Sequence, residues 1–206
     1  MIKGIIALLQ ILTVCHVAYA ENYTISERPD IQEFIKKASK ETGYSQGELK
    51  AILKNVKKNE RVLAKIKKPY EDLSWARYQT FFVKPKMISA GSQFKNKYEK
   101  ELSFQEASSG IPKNIIVSII GVETFFGKYS FEFNALESLA TLSFDYPPRA
   151  KFFSSELIAL LKLSKKSEQP AESFKSSYAG AIGIPQFMPS SYLQYAKSEN
   201  KKHADI

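Results

Sequence analysis

Lys113-Asn-Ile-Ile-Val-Ser-Ile-Ile-Gly-Val-Glu-Thr-Phe-Phe-Gly127 is the stretch on which the fold turns. Pro112 suits a helix start and Gly127 a stop. Between them Ile115, Ile116, Val117, Ile119, Ile120 and Val122 are apolar on nearly every side of a helix. Such an element is expected to lie buried in the middle of a domain. β-Branched residues also favour strand, so the helical reading rests partly on the two flanking residues. One carboxylate, Glu123, closes the run. Burial there would disfavour its charged form, and a neutral carboxylic acid is what a glycosidic oxygen needs before it becomes a leaving group. Phe125 and Phe126 would supply an apolar wall and Gly127 the turn. A glutamate near a helix end is also a common capped or salt-bridged surface group, and the pattern alone leaves both readings open.

Upstream, Ile31, Phe34, Ile35 and Ala38 recur at helical spacing over residues 31–42 and stop at Gly43. Ser45 with Glu48 forms a capping box for a second helix carrying Leu49, Ile52, Leu53 and Val56. The pair reads as a helical hairpin whose apolar stripes are core. After a basic connector and Pro69, Trp75-Ala-Arg-Tyr78 opens an aromatic segment that runs to Phe82 and is closed by Pro85. Its rings suit packing as well as ligand contact. A polar helix is expected from about Ser89 to Ser108, with Phe94, Tyr98 and Leu102 on one side.

Downstream, Asn134 and Glu137 cap a helix that points Leu136, Leu139, Ala140 and Leu142 inward. Pro147-Pro148 separates it from one carrying Phe152, Phe153, Leu157, Leu160 and Leu161. Residues 164–176 read as a polar loop and Tyr178 to Pro189 as an irregular glycine-rich stretch, before Ser190 leads into a short last helix. No internal repeat and no alternating strand pattern is visible, so the fold class is mainly α.

With 206 residues, 44% of them hydrophobic, the chain can build a globular core. Residues 1–20 read as a secretory signal peptide: Lys3 is its positive start, Gly4 to Val14 its apolar run, and Ala18-Tyr19-Ala20 its cleavage site. Export to the periplasm or cell envelope is therefore expected. An uncleaved anchor or a buried first helix is the other reading, although the run is short for a bilayer. The only cysteine, Cys15, lies inside this segment, so cleavage leaves no disulfide, thiol nucleophile or cysteine ligand. Leu12-Thr-Val-Cys15 also reads as a lipoprotein acceptor, with membrane attachment if Cys15 is lipidated, though Val14 is bulky for that role.

The formal net charge of +9 falls by one unit without Lys3 and favours acidic polymers: nucleic acid, anionic lipid or cell-wall material. Export points to the wall, and no nucleic-acid motif is present. Any single lysine among Lys57, Lys58, Lys65, Lys67 and Lys68 is as well explained by a solvated face. His16 and His203 are too isolated for zinc, and neither metal nor cofactor is expected.

Three segments in order raise Glu123 above a surface group. They are Gly121-Val-Glu-Thr-Phe-Phe-Gly127; Leu139-Ala-Thr-Leu-Ser-Phe-Asp-Tyr-Pro147 with Arg149-Ala150 and Phe152-Phe153; and Tyr178-Ala-Gly-Ala-Ile-Gly-Ile-Pro-Gln-Phe-Met-Pro-Ser-Ser191. Together they resemble the membrane-bound lytic murein transglycosylase B family, within the lysozyme-like superfamily. Trp75-Ala-Arg-Tyr78 and Ile115-Ile-Val-Ser-Ile-Ile120 extend the likeness, which covers residues 75–196. The glycine-rich segment alone would indicate only the superfamily.

The resemblance implies a lysozyme-like helical catalytic region over 71–206, an N-terminal helical region over 21–70, and non-hydrolytic cleavage of peptidoglycan glycan strands. The bond cut is the β-1,4 bond between N-acetylmuramic acid and N-acetylglucosamine, leaving 1,6-anhydro ends. By position Glu123 matches the single catalytic acid-base group. Ser177, Tyr178 and Gln186 match the segment lining the sugar cleft, and Tyr78 and Arg149 match cleft positions that stack on a sugar or attract peptide carboxylates. Duller roles exist for three of them: Tyr178 as core, Gln186 as a partner for loop backbone, and Arg149 as a cap of its own helix.

Several positions depart from the family pattern. Pro148-Arg149 stands where two arginines are usual, Lys175-Ser176 where Lys-Gly is common, and Pro185 where glycine commonly precedes the glutamine. The Ser176 change is expected to remove backbone freedom at a turn. Some relatives carry a calcium loop where this chain reads Lys197-Ser-Glu-Asn-Lys-Lys-His203, and two lysines there would repel a divalent cation. Family members continue past the equivalent of Ile206, so the catalytic region is expected to be incomplete at its C-terminus. A hydrolytic lysozyme-type muramidase and a non-catalytic or impaired wall-binding fragment are the rival functions.

Overall fold

The computed structural model describes residues 22–68, 73–129 and 131–197. The expected signal peptide with Cys15 and His16, the boundary near residue 70, and Ser198 to His203 lie outside the described residues.

Pro29 in the first turn and Gly43 in the left-handed conformation bound helix α1 (Pro29–Thr42), which buries Ile31, Phe34, Ile35 and Ala38. Both halves of the capping box form at α2 (Gln46–Lys54): the Ser45 hydroxyl accepts the Glu48 N–H and the Glu48 carboxylate accepts the Ser45 N–H. The helical hairpin is thus present, and Leu49 and Leu53 of α2 are fully buried. Helix α3 (Glu60–Ile66) starts on the Asn59 side chain.

The centre of the core lies further along the chain. Helix α8 (Ala135–Asp145), capped by Asn134, packs against α9 (Ala150–Ser167), the longest of the described helices. Leu136, Leu139 and Leu142 of α8 meet Phe153, Leu157, Leu160 and Leu161 of α9, and α1 and α2 add Ile31, Ile35, Leu49 and Leu53 to the same cluster. Each such side chain contributes about 1.5–3 kcal/mol relative to leaving it exposed. Phe152 points outward, unlike its neighbours in the apolar spacing.

Polar ties fix the N-terminal segment to the end of α8. The Tyr23 hydroxyl donates to Asp145 Oδ2 at 2.6 Å, and the Arg28 guanidinium donates to Asp145 Oδ1 at 3.2 Å and to the Phe144 carbonyl at 2.9 Å. Burial and the Asp145 carboxylate together push the Tyr23 phenol well above its usual range.

After α9 the chain is less of a loop than its composition implies. Residues 164–167 belong to α9, and Lys175–Ser176 forms strand β2, antiparallel to β1 (Phe133–Asn134), with Phe133 opposite Ser176. Phe174 and Ser176 are buried, which the run of lysines and serines concealed. Helix α10 (Pro189–Tyr195) packs on α9.

The intervening helices form a second packed group. The expected single helix from Ser89 to Ser108 is two, α5 (Pro85–Lys97) and α6 (Glu99–Ser109), broken at Tyr98. Pro85 does not merely close α4 (Trp75–Phe82); it occupies the first turn of α5, where its missing N–H costs nothing. Helix α7 (Lys113–Thr124) packs on α5 and α6.

Its helical form is as the flanking residues imply, but its burial is not. Val117, Gly121 and Thr124 are buried, whereas Ile115, Ile119 and Val122 are 51%, 55% and 40% exposed. Apolar residues on every side make both faces of a helix suited to burial. Among the described residues α5 and α6 take up one face, and the other stays at the surface.

Candidate active site

Glu123 lies in the last turn of α7, where the carbonyl ends oppose a negative charge, and no basic residue shares that turn. Beyond it the chain reverses through three consecutive left-handed residues, Phe125 (φ 50°), Phe126 (φ 60°) and Gly127 (φ 76°). Only glycine adopts that conformation freely; for each phenylalanine it costs roughly 1–2 kcal/mol. Five backbone donors hold the turn, among them Lys128 N–H, which donates to the Phe125 carbonyl at 3.3 Å. Phe125 N–H donates to the Gly121 carbonyl at 2.9 Å, Phe126 N–H to that of Ile120 at 3.3 Å, Gly127 N–H to the Thr124 hydroxyl at 3.0 Å, and Tyr129 N–H to the Thr124 carbonyl at 3.0 Å. Thr124 is fully buried and supplies two of the five acceptors.

The two phenylalanines do not wall Glu123 as the sequence led us to expect. Phe126 turns back onto α7, where a Cβ on Gly121 would lie 2.7 Å from its ring and one on Gly91 of α5 would lie 3.2 Å away. Its ring also packs on Phe94 at 5.3 Å. Phe125 stacks on the exposed Tyr129 at 5.6 Å, with the Lys86 and Lys128 ammonium groups 5.8 and 5.4 Å from its ring. Glu123 itself is exposed among the described residues. The apolar run predicted an enclosed carboxylate, but the left-handed turn carries both rings away from that role.

Ser177, Tyr178 and Gln186 belong to one structured loop. Ser176 and Phe187 both pair with Ile182, which is fully buried, and Ile182–Phe187 closes a tight hairpin around Gly183, Ile184, Pro185 and Gln186. Gln186 takes φ 51°, and its side-chain Nε2 donates to the Gly183 carbonyl at 2.9 Å, so part of its amide serves the loop as the duller reading held. The Ser177 hydroxyl accepts the Ala181 N–H at 3.2 Å. Tyr178 is partly buried against the core. Ser176 does not sit at a turn that wants glycine: it is extended in β2, and its hydroxyl donates to the Ser177 carbonyl at 2.9 Å.

This hairpin meets the turn after Glu123. A Cβ on Gly127 would lie 3.3 Å from Ile184 Cδ1, so the two segments approach closely, and the left-handed φ of Gly127 strains any side chain placed there. Tyr78 belongs to the aromatic helix α4. It packs between Trp75 at 6.2 Å and Phe82 at 5.0 Å, and Phe82 lines a groove of about 440 Å³ with Gly91, Val117, Gly121, Val122 and Phe126. The groove therefore reaches Val122, the residue before Glu123. A hollow of about 780 Å³ between α1 and α2 involves none of the residues singled out in the sequence.

Arg149 is not drawn into this grouping by a direct contact. Its guanidinium stacks 4.2 Å over Phe152 and 5.3 Å over Phe153, on the helix it precedes. Sequence reading missed Thr124, and it missed Glu156, a buried carboxylate of α9 that accepts two hydrogen bonds from Ser190. The signal for Glu156 was present: it falls three residues after Phe153 and four before Leu160 on an otherwise apolar stripe. Among the described residues no three His, Cys, Asp or Glu side chains gather as metal ligands would.

The arrangement of these segments matches known proteins. The profile of the family described as "Transglycosylase SLT domain" matches residues 26–206. The membrane-bound lytic murein transglycosylase B of Escherichia coli is 38% identical over 181 residues, which are 83% of this chain and 50% of that protein. The solved soluble lytic transglycosylase SltB1 of Pseudomonas aeruginosa is 39% identical with a TM-score of 0.80, over 86% of this chain and 61% of that one. An Escherichia coli lytic transglycosylase solved in complex with calcium is 36% identical with a TM-score of 0.81, over 93% of this chain and 62% of that one. The chain thus spans about half the length of the curated relative and about three fifths of the solved ones. On that profile, which matches most of its length, this chain belongs to the Transglycosylase SLT domain family.

Proposed function

We propose that the protein is an exported peptidoglycan lytic transglycosylase of the cell envelope, with Glu123 as its single acid-base group. The observation that carries the reading is the meeting of the Glu123 turn with the Gln186 hairpin through Gly127 and Ile184, in a chain of this family. In its carboxylic acid form Glu123 gives its proton to the glycosidic oxygen between N-acetylmuramic acid and N-acetylglucosamine, and that bond breaks. The resulting carboxylate takes the proton of the muramoyl C6 hydroxyl, whose oxygen bonds to the anomeric carbon and closes the 1,6-anhydro ring. No water is consumed, and Glu123 ends in its starting state, so one carboxyl group serves both steps.

The remaining residues bind and orient the strand. The free acceptor face of the Gln186 amide and the Ser177 hydroxyl suit acetamido and hydroxyl groups, and the partly buried Tyr78 and Tyr178 suit stacking on sugar rings. Arg149, exposed beside Phe152, suits the carboxylates of stem peptides. Preorganisation comes from the backbone bonds of the turn after Glu123 and from the pairing at Ile182.

The exposure of Glu123 favours a second reading, a wall-binding protein with little or no cleavage, because its carboxyl group is open to solvent instead of enclosed in an apolar pocket. Mass spectrometry of purified sacculi digested with the protein separates the possibilities. Soluble muropeptides with 1,6-anhydro ends support the transglycosylase. Reducing ends alone would replace it with a hydrolytic muramidase, and sacculus binding with no soluble product would leave the binding protein.

A further inference from the structure

Glu156 is a carboxylate that neither the core nor the proposed chemistry requires. It sits in the middle of α9 at 5% exposure, next to Phe153, Leu157 and Leu160, which are buried to 1% or less. An apolar side chain of similar length would fill that place without the cost of desolvating a carboxylate. Both of its oxygens are instead committed to one residue: Oε2 accepts the Ser190 N–H at 2.9 Å and Oε1 accepts the Ser190 hydroxyl at 2.6 Å.

Ser190 stands in the first turn of α10, where Met188, at the N-cap position, makes no capping bond with its side chain. Glu156 therefore supplies from α9 the acceptor that the start of α10 lacks. Only Phe187, Met188 and Pro189 separate this clamp from Gln186. At its base the hairpin is tied by the Ile182–Phe187 pair, and at its tip it abuts Gly127. The clamp ties the downstream end of this hairpin to α9 beside the packing of Phe187, Met188 and Tyr192 on the core, and its two bonds add a direction that apolar packing lacks.

We propose that Glu156 is a positioning residue for glycan binding, holding the Gln186 amide in place through its two hydrogen bonds to Ser190. The proposal rests on Gln186 being a sugar-binding residue. It acts through the hairpin and touches no substrate.

The test is binding of the β-1,4 tetramer of N-acetylglucosamine, measured by calorimetry well below the melting temperature of each variant. Ser190→Ala, which removes the 2.6 Å bond and leaves Glu156 Oε1 without that donor, is expected to weaken binding about five-fold. Glu156→Gln keeps an acceptor for the Ser190 N–H and offers an N–H to the Ser190 hydroxyl, so its affinity stays within about two-fold of wild type. In a Gln186→Ala background Ser190→Ala should have no further effect. An equal loss in both backgrounds, or unchanged binding in Ser190→Ala alone, overturns the positioning role while leaving the sugar-binding site intact. A wild-type protein that does not bind the tetramer overturns both.

Discussion

The ring of Phe126 fills the space that a side chain on Gly121 would need: a Cβ there would lie 2.7 Å from Phe126 Cζ, closer than real contacts allow. The glycine two residues before Glu123 and the phenylalanine three residues after it are thus one packing unit, and they seat the end of α7 on α5. Gly121→Ala sets a gain in helix propensity of about 1 kcal/mol against an overpacking cost of about 1–3 kcal/mol. Net destabilisation is expected by chemical denaturation, together with slower product release from sacculi. Adding Phe126→Leu to Gly121→Ala should recover part of the loss, because the smaller side chain frees that space. Gly91→Ala, at 3.2 Å, should be milder.

Thr124 holds the turn with its hydroxyl as well as its carbonyl, and it is fully buried. Thr124→Val keeps the shape and leaves the Gly127 N–H without its acceptor, at a cost of about 1–3 kcal/mol. For a chain of this size that lowers the melting temperature by about 2–4 °C per kcal/mol, which calorimetry reads directly.

The pairing of Arg28 with Asp30 gives a pH signature. The Arg28 guanidinium, at 2.7 Å, holds the Asp30 carboxyl below its ordinary value of 3.8. A lowered folded value means that the contribution is fully present above the ordinary value and is lost as pH falls through the folded one. Asp30 is nearly half exposed, so solvent screening keeps the contribution under about 1 kcal/mol. Asp30→Asn should therefore be slightly less stable than wild type near neutral pH. Urea denaturation at falling pH should show the gap closing below about pH 4.

Those features of the fold that depend on neighbours in the chain were legible in the sequence. The Ser45–Glu48 capping box, the Asn134 cap and the apolar stripes of α1, α8 and α9 need only local spacing, and each is where the residues place it, apart from the outward-facing Phe152. Tertiary contacts were not legible in this way. The exposure of Ile115, Ile119 and Val122 depends on which elements come to cover α7, and no periodicity encodes that. Breaking the polar helix at Tyr98 gave no Gly or Pro signal, and the buried Phe174 and Ser176 were hidden in a polar composition. At the site, the motif is the ground on which Glu123, Ser177 and Gln186 are proposed, but the left-handed backbone at Phe125, Phe126 and Gln186 runs against residue preference and could not be anticipated from it.

The central claim is that Glu123 performs both proton transfers. Glu123→Gln preserves size and removes the proton donor, so it tests the claim without disturbing the turn. Wild type and variant are compared for release of 1,6-anhydro muropeptides from purified sacculi, with pelleting on the same sacculi as a measure of binding. The variant is expected to bind as wild type does and to release product at least about 10²-fold more slowly. Release at the wild-type rate by Glu123→Gln would contradict the assignment and move the acid to another residue.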